Sequence, residues 1–430
     1  LYATRTGFIA DTQPPGVVLL LKLLDPISPG PLLFVLFNQW LLIVGLVLLF
    51  YHLTRDVITS FISSFVILFS PPVLSSLHVA WRDISGAGLS IFSLAFLVLL
   101  VRGKAHRNWI ALTTLGAFFL ILLTQGVLFR LNHAAGFFPL LVYAGIVFFR
   151  HSFRYSVIQS SVLSITMASI VLVGTTALGV FITDTVSTKK TFSRQAVTCY
   201  RLAMLSDQVN KNLFPIDLYP DLSLGVIKEL VRAKPNPYRH FWVAYNKDNS
   251  KELPRLRTKE QYQKLRSVYF NAIADNFGTY VKIRFSKVSE FVNFSPRTFP
   301  VGFVEHRVPS RASELLHLNF EYAKPLWSEN FIKRWTSLNK YLFFRNPLPI
   351  MIIAFFLAMV GFLLKLPHYG LMLATSLSSI AHFSGVALVV VLFPFRYAHQ
   401  SFLFSILAII IFFIGVLMSR SARERVGKIG

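Results

Sequence analysis

Acidic residues and cysteine are both scarce in this chain, and the scarcity of cysteine excludes two kinds of site. The 430 residues contain 19 Asp and Glu against 43 Lys and Arg, for a net charge of +24. Cys199 is the only cysteine, which excludes an intrachain disulfide and a cysteine-based metal site. Its neighbours give no sign of an activated thiolate, so we expect a packed or partly exposed, unreactive thiol.

Several motifs of soluble enzymes and pumps are also missing. The sequence has no GxxxxGK[ST], GxSxG or HExxH pattern, so a nucleotide-driven pump is unsupported. Its apolar runs carry few charges of the kind that line an ion or proton pathway. His382 is the main exception, and we expect it to be a hydrogen-bonded core histidine.

Apolar sequence, by contrast, is abundant. The chain is 54% hydrophobic and includes 42 Phe, with a mean hydropathy of +0.57. Such composition predicts an integral membrane protein. The positive charge suits anionic lipid headgroups, phosphates or acidic polymers, and the membrane content argues against a nucleic-acid partner.

Runs near membrane-spanning length predict an all-α polytopic protein with about nine transmembrane helices. The predicted spans are Pro31–Tyr51, Val57–Ser75, Ser85–Val101, Asn108–Thr124, Ala134–Phe149, Val157–Thr183, Pro347–Leu366, Tyr369–Phe395 and Ser401–Ser419. Pro14–Leu24 is apolar but too short to cross, which favours an interfacial or re-entrant helix. Because the chain begins at Leu1, we also expect at least one further helix upstream.

Basic residues in the short connections predict the orientation. Alternation of the spans puts Arg102, Lys104, Arg107, Arg150, Arg154, Arg420, Arg423, Arg425 and Lys428 on one face, which is then cytoplasmic. Four regions follow: a loop and juxtamembrane helix at 1–30, spans at 31–183, a mostly helical extracytoplasmic domain at 184–345, and spans with a basic tail at 346–430. Helical spacing of Leu265, Tyr269 and Ala272 supports the domain assignment. The predicted location is a plasma (bacterial inner) membrane, with the active site outside.

Four polar segments converge on the predicted extracytoplasmic face. Asp11 and Gln13 precede the short helix, where Asp11 is either a helix cap or an active-site acid. Trp81, Arg82 and Asp83 are either an interfacial anchor with an ion pair or a platform for a sugar and its phosphate.

The other two segments add cations. Arg130, Asn132 and His133 interrupt two apolar runs, as a snorkelling loop or as phosphate ligands, with His133 more typical of a structural histidine. Arg396 and Tyr397 add another cation and aromatic ring. Asp11 and Asp83 are therefore the catalytic candidates, and the remaining eight residues are candidates for binding substrate and lipid phosphate.

In this order the segments resemble the GT-C polytopic glycosyltransferases, especially bacterial relatives of the protein mannosyltransferase and aminoarabinose transferase type. The similarity rests on Asp11-Thr12-Gln13-Pro14-Pro15, the short helix after it, Trp81-Arg82-Asp83, Arg130-Leu131-Asn132-His133 and Arg396-Tyr397. The similarity covers the layout of most of the chain, but at the level of individual residues it is limited to these motifs. Gln13 departs from the His or Lys that the family often has there.

The resemblance implies transfer of a sugar from a polyprenyl-phosphate donor to a glycan, lipid or protein acceptor. It also implies that Asp11 is a supporting acid, since the family's usual base ends an upstream span. No complete metal-ligand set is visible in the sequence, and a divalent cation stays open as a cofactor. The competing interpretations are a polysaccharide polymerase or ligase acting on lipid-pyrophosphate substrates, and a lipid or solute transporter.

Overall fold

The structure is a computed structural model. It describes residues 15–28, 32–77, 82–102, 113–114, 116–117, 134–186, 194–233, 241, 253–292, 347–389 and 399–427. Within these residues the secondary structure is helical, with no strand. The helices form two groups, which we call the apolar bundle and the helical domain.

The apolar bundle consists of ten helices among the described residues. They are α1 (Pro15–Leu24), α2 (Leu32–Thr54), α3 (Val57–Leu68), α4 (Pro71–Leu77), α5 (Arg82–Arg102), α6 (Ala134–Phe153), α7 (Val157–Val186), α12 (Pro347–Leu363), α13 (Tyr369–Val389) and α14 (His399–Gly427). The helical domain lies between them in sequence. It contains α8 (Arg194–Val209), α9 (Leu224–Arg232), α10 (Lys259–Asp275) and α11 (Phe277–Val292).

Three described helices are long and apolar enough to cross a membrane: Leu32–Thr54, Val157–Ile182 and His399–Ser421. The helices over Val57–Leu68, Ser85–Leu99, Ala135–Arg150 and Pro347–Leu363 are apolar but shorter. An all-helical protein associated with a membrane is therefore supported. The predicted Asn108–Thr124 span lies almost wholly outside the described residues.

The predicted Val57–Ser75 span is two helices in the structure, so the single span was wrong. Helix α3 ends at Leu68, and α4 begins at Pro71. The ring of proline removes a backbone donor and clashes with the preceding helical turn, whereas the first position of a helix tolerates it. Ser70 links the two helices, since its hydroxyl donates to the Ile67 carbonyl at 2.6 Å and its carbonyl accepts from the Val73 amide at 3.0 Å.

Small residues let the bundle helices approach closely, as is typical of helices packed in lipid. A Cβ atom built on Gly45 of α2 would lie 3.0 Å from the Phe92 backbone nitrogen of α5. Similarly, a Cβ on Gly136 of α6 would lie 2.9 Å from the Cβ of His382 on α13. Both crossings therefore favour glycine, because the neighbouring atoms belong to backbone or to the root of a side chain.

Helix α7 shows how hydroxyl groups on the outer surface of the bundle are hydrogen-bonded within their own helix. Ile158, Ile170 and Val173 are exposed on this helix. Ser161 and Ser169 lie on its exposed part, and each donates its hydroxyl at 2.8 Å to the carbonyl four residues earlier. Such internal bonds satisfy polar groups that hydrocarbon cannot. The surface of α7 is thus compatible with lipid on all exposed sides.

The helical domain has its own core, built on α8. Buried members include Leu202, Leu205, Ile227 and Leu265. Gln195 ties three segments together, since its amide donates to the Tyr219 hydroxyl at 3.0 Å and its carbonyl accepts from the Leu256 amide at 3.0 Å. The expected helical periodicity of α10 is confirmed, because Leu265, Tyr269 and Ala272 all face this core.

Cys199 lies in the same core, and the expectation of an unreactive thiol is confirmed. The side chain is fully buried, with its sulfur 3.2 Å from the Tyr219 hydroxyl. Burial raises the thiol pKa to about 12, so the thiolate is scarce at neutral pH.

Candidate functional site

One end of the apolar bundle gathers the helix ends that border the polar segments of the sequence. Helices α5, α6 and α14 begin there, at Arg82, Ala134 and His399. Contacts fix their relative positions: Gln400 of α14 donates to the Ser90 hydroxyl of α5 at 3.4 Å. Likewise Gly136 of α6 packs on His382 of α13. We call this region the polar end.

The short helix α1 belongs to the same end. The predicted helix of Pro14–Leu24 is present from Pro15 to Leu24. Leu20 and Leu21 of α1 pack into a cluster with Phe34 of α2 and Leu89 of α5. The segment that carries Asp11 and Gln13 therefore leads directly into a helix that lies beside the start of α5.

The predicted site residues stand as follows. Arg82 and Asp83 lie in the first turn of α5 rather than in a loop. The others lie outside the described residues: Asp11, Gln13, Trp81, Arg130, Asn132, His133, Arg396 and Tyr397. The structure nevertheless defines the helices that follow them, since α1, α5, α6 and α14 each begin within four residues of one of these segments.

Serine and histidine side chains connect α13 and α14 at the polar end. His382 is 1% exposed, and its Nδ1 lies 2.8 Å from the Ser401 hydroxyl. Ser379 donates to the Ser401 carbonyl at 2.7 Å and lies equally close to the Ser405 hydroxyl. The prediction that His382 is a hydrogen-bonded core histidine is confirmed. Together these bonds fix the first two turns of α14 against α13.

His399 and Gln400 differ from His382, because part of their hydrogen-bonding capacity is unused. His399 is 1% exposed, and neither ring nitrogen has a partner among the described residues. The Gln400 carbonyl oxygen has none there either, and Asn38 of α2 and Ser85 of α5 add two further oxygens of this kind. A buried polar atom without a partner costs about 1–3 kcal/mol. Several at one end of a bundle therefore indicate a site for a polar ligand.

Sequence reasoning missed His399 and Gln400. They follow Tyr397 by two and three residues, so the signal that selected the Arg-Tyr pair extends to them. Nothing in the spacing shows that Gln400 meets Ser90, because the two residues are 310 positions apart.

The opposite end of the bundle is basic. Helix α5 ends at Arg102, α6 carries Arg150 in its last turn, and α14 carries Arg420 toward its end. Arg55 and Lys365 occupy the turns after α2 and α12. We call this region the basic end. Polar groups of the site and basic residues of the short turns are thus separated by the length of the helices.

A cationic cluster lies in the helical domain, between α8, α10 and α11. Arg284 is 4% exposed, and its pKa is lowered first by burial and then by the charge of Arg201. The Tyr269 hydroxyl lies 3.4 Å from that of Tyr280, and burial followed by this bond raises the Tyr269 pKa to about 12. Helix α11 also contacts α13 of the bundle, so this domain packs against the helix that carries His382.

No group of three or more His, Cys, Asp or Glu side chains suited to a metal ion occurs in the described part of the chain. Comparison with protein-family models, curated proteins and solved structures finds no match to this chain. The polar end of the apolar bundle is therefore the candidate site on its own geometry.

Proposed function

We propose that the chain is a membrane glycosyltransferase that moves a sugar from a polyprenyl-phosphate donor to a glycan, lipid or protein acceptor. The observation that carries this proposal is the polar end. Four helices that begin next to the Asp-Gln, Trp-Arg-Asp, Arg-Asn-His and Arg-Tyr segments meet there around buried groups with unused hydrogen-bonding capacity. The GT-C resemblance supplies the reaction class.

The chemistry fits these residue types. In the transfer, the bond between the sugar C1 and the phosphate oxygen breaks, and a bond from C1 to the acceptor oxygen forms. A carboxylate near the acceptor hydroxyl takes its proton, and Asp11 and Asp83 are the candidates in this chain. Arg82, Arg130 and Arg396 would hold the charge that develops on the departing phosphate.

His399 and Gln400 add groups for recognition of the sugar. A ring nitrogen and an amide oxygen in a buried position can exchange hydrogen bonds with hydroxyl groups of a sugar, which gives them the partners that the described chain does not provide. A site built on such bonds discriminates strongly against a ligand that lacks them. Trp81 and Tyr397 would supply apolar faces for the ring.

Transfer assays on the chain in liposomes test this function. We expect turnover with a polyprenyl-monophosphate sugar and an extracytoplasmic acceptor, and loss of turnover in Arg130→Ala. Asp11→Asn should lower kcat more than donor affinity. Arg420→Ala, at the basic end, is the matched control and should retain activity. Transfer only from pyrophosphate donors would instead favour a polymerase or ligase, and solute movement without transfer would favour a transporter.

Two histidine variants separate binding from folding at the same end. His399→Leu replaces a buried ring that has no described partner with an apolar side chain of similar size, so we expect transfer to fall while the unfolding temperature stays near that of the parent. His382→Ala removes the contact with Ser401, so it should lower stability. Full activity in His399→Leu would remove this residue from the proposed site.

A further inference from the structure

A cleft of about 970 Å³ opens on the side of the apolar bundle and extends to the basic end. Its walls come from α6, α7, α12 and α13, and most of the lining is apolar. Representative lining residues are Val142, Ile146, Ile165, Phe362 and Leu377. This volume is at the upper limit of pockets for small ligands, and walls of this kind suit hydrocarbon chains.

The cleft has one polar mouth, at the basic end. Arg150, at the end of α6, and His368, in the turn before α13, both line it. Arg150 is exposed. The ion pairs within the described residues are Arg232–Asp207 and Lys264–Asp217, so no carboxylate from that part of the chain neutralises Arg150. The mouth therefore offers a guanidinium to an anion.

The length of the cleft matches one leaflet of a bilayer. It follows α6 from Phe138 to Arg150, a helical rise of about 18 Å. The hydrocarbon core of a bilayer is about 30 Å thick, so one leaflet contributes about 15 Å. A ligand with its charged group at Arg150 would reach Phe138 with chains of one-leaflet length.

The geometry points to a binding site for an anionic glycerophospholipid, with its phosphate at Arg150 and His368 and its acyl chains between α6 and α13. Guanidinium and phosphate form paired hydrogen bonds, and a surface cation near anionic lipid contributes about 1 kcal/mol. The site is distinct from the proposed transfer site, since its anion-binding mouth lies at the basic end of the bundle.

Native mass spectrometry of the chain tests this site. The protein is reconstituted in nanodiscs with equal amounts of phosphatidylglycerol and phosphatidylcholine, and the retained lipids are counted. We expect preferential retention of phosphatidylglycerol. Arg150→Ala should lower that preference about fivefold, the factor that corresponds to about 1 kcal/mol. Arg420→Ala, an exposed arginine at the same end, should leave it nearly unchanged.

A second variant probes the acyl chains. Leu377 lines the inner part of the cleft and is 39% exposed, so Leu377→Trp fills space without a change of charge. We expect reduced retention of both lipids in this variant, with unfolding close to that of the parent. Equal retention of the two lipids by the parent, equal effects of Arg150→Ala and Arg420→Ala, or unchanged retention in Leu377→Trp would each overturn the proposal.

Discussion

A buried glutamine of the helical domain and a buried histidine of the apolar bundle differ in how far their polar atoms are used. In the domain, Gln195 is fully buried and uses both ends of its amide, and Ser206 donates to Leu202 and accepts from the Leu213 amide. In the bundle, His399 is equally buried, and its ring nitrogens have no partner in the described chain. Gln195 thus joins segments of the domain, whereas the ring of His399 at the polar end has hydrogen-bonding capacity that the described chain does not use.

The two regions also differ in how their helices are fixed. Helix α10 begins with a capping box, in which Thr258 and Gln261 bond each other's backbone amides. Ion pairs join α8 to α9, and α10 to the loop between α8 and α9. The bundle has hydrogen bonds between α13 and α14 and, in addition, close approach of its helices at glycines. Because apolar surface gives no driving force between helices in lipid, packing must replace it. The comparison therefore predicts different sensitivities in the two regions.

The largest expected effect is in the bundle, at the crossing of α2 and α5. Gly45→Leu places a side chain against the Phe92 backbone, which cannot move without separation of the helices. Overpacking of this kind costs about 1–3 kcal/mol, and we expect the upper value because backbone is the obstacle. Thermal unfolding in detergent, followed by circular dichroism, measures it.

Gly174→Leu is the matched control, since a Cβ on Gly174 meets nothing within 4 Å. Leucine also has the higher helix propensity, so this variant should unfold at or above the temperature of the parent. If Gly45→Leu and Gly174→Leu lowered the unfolding temperature equally, glycine packing would not be what holds α2 against α5.

A smaller effect is expected in the domain at Gln195. Gln195→Leu leaves the buried amide of Leu256 without its acceptor, which costs about 2 kcal/mol. Gln208→Leu, on an exposed position of the same helix, should cost little. Chemical denaturation, followed by far-ultraviolet circular dichroism, gives the free energy of unfolding of the two variants and of the parent.

The counterpart in the bundle is Ser378→Ala. Ser378 is fully buried and its hydroxyl has no described partner, so its removal should be neutral or stabilising. A loss as large as that of Gln195→Leu would contradict the distinction between the two regions.

The smallest effect is the pH dependence of the ion pair between Lys264 and Asp217. The hydrogen bond from Lys264, at 2.7 Å, holds the Asp217 pKa below its ordinary value. A carboxyl with a lowered pKa stabilises the folded state above its unfolded pKa, and this contribution is lost as pH falls through the lowered value. Asp217→Asn should therefore have a slightly lower unfolding temperature than the parent at pH 7, and the difference should disappear as the pH falls through the lowered Asp217 pKa. A difference in unfolding temperature that stays constant from pH 7 into this acid range would exclude the ion pair as its source.

Much of the helical layout could be predicted from sequence. Apolar runs gave α2, α6, α7 and α12 within a few residues, and the short helix before Pro31 is present as α1. The break between α3 and α4 was missed because hydropathy continues through it, although Pro71 and Pro72 were the available signal. Similarly, the start of α5 at Arg82 was missed, since charged residues at a boundary look like a loop.

The candidate site was harder to predict, because it depends on packing between distant segments. His382 could be assigned as a core histidine from its position in an apolar run. In contrast, His399 is a candidate only because the structure places it in a buried position, without a described partner, next to the Gln400–Ser90 contact. Sequence gives the residue types, whereas their convergence comes from the pairing of α5 with α14 and of α6 with α13.

The turns at the basic end combine backbone strain with positive charge. Arg55, Arg154 and Lys365 follow α2, α6 and α12 with positive φ angles of 59°, 56° and 49°. A side chain in this conformation costs about 1–2 kcal/mol compared with glycine, yet each position holds a cation. The residue that follows the first helix of each pair therefore keeps a positive charge at the basic end despite its backbone strain.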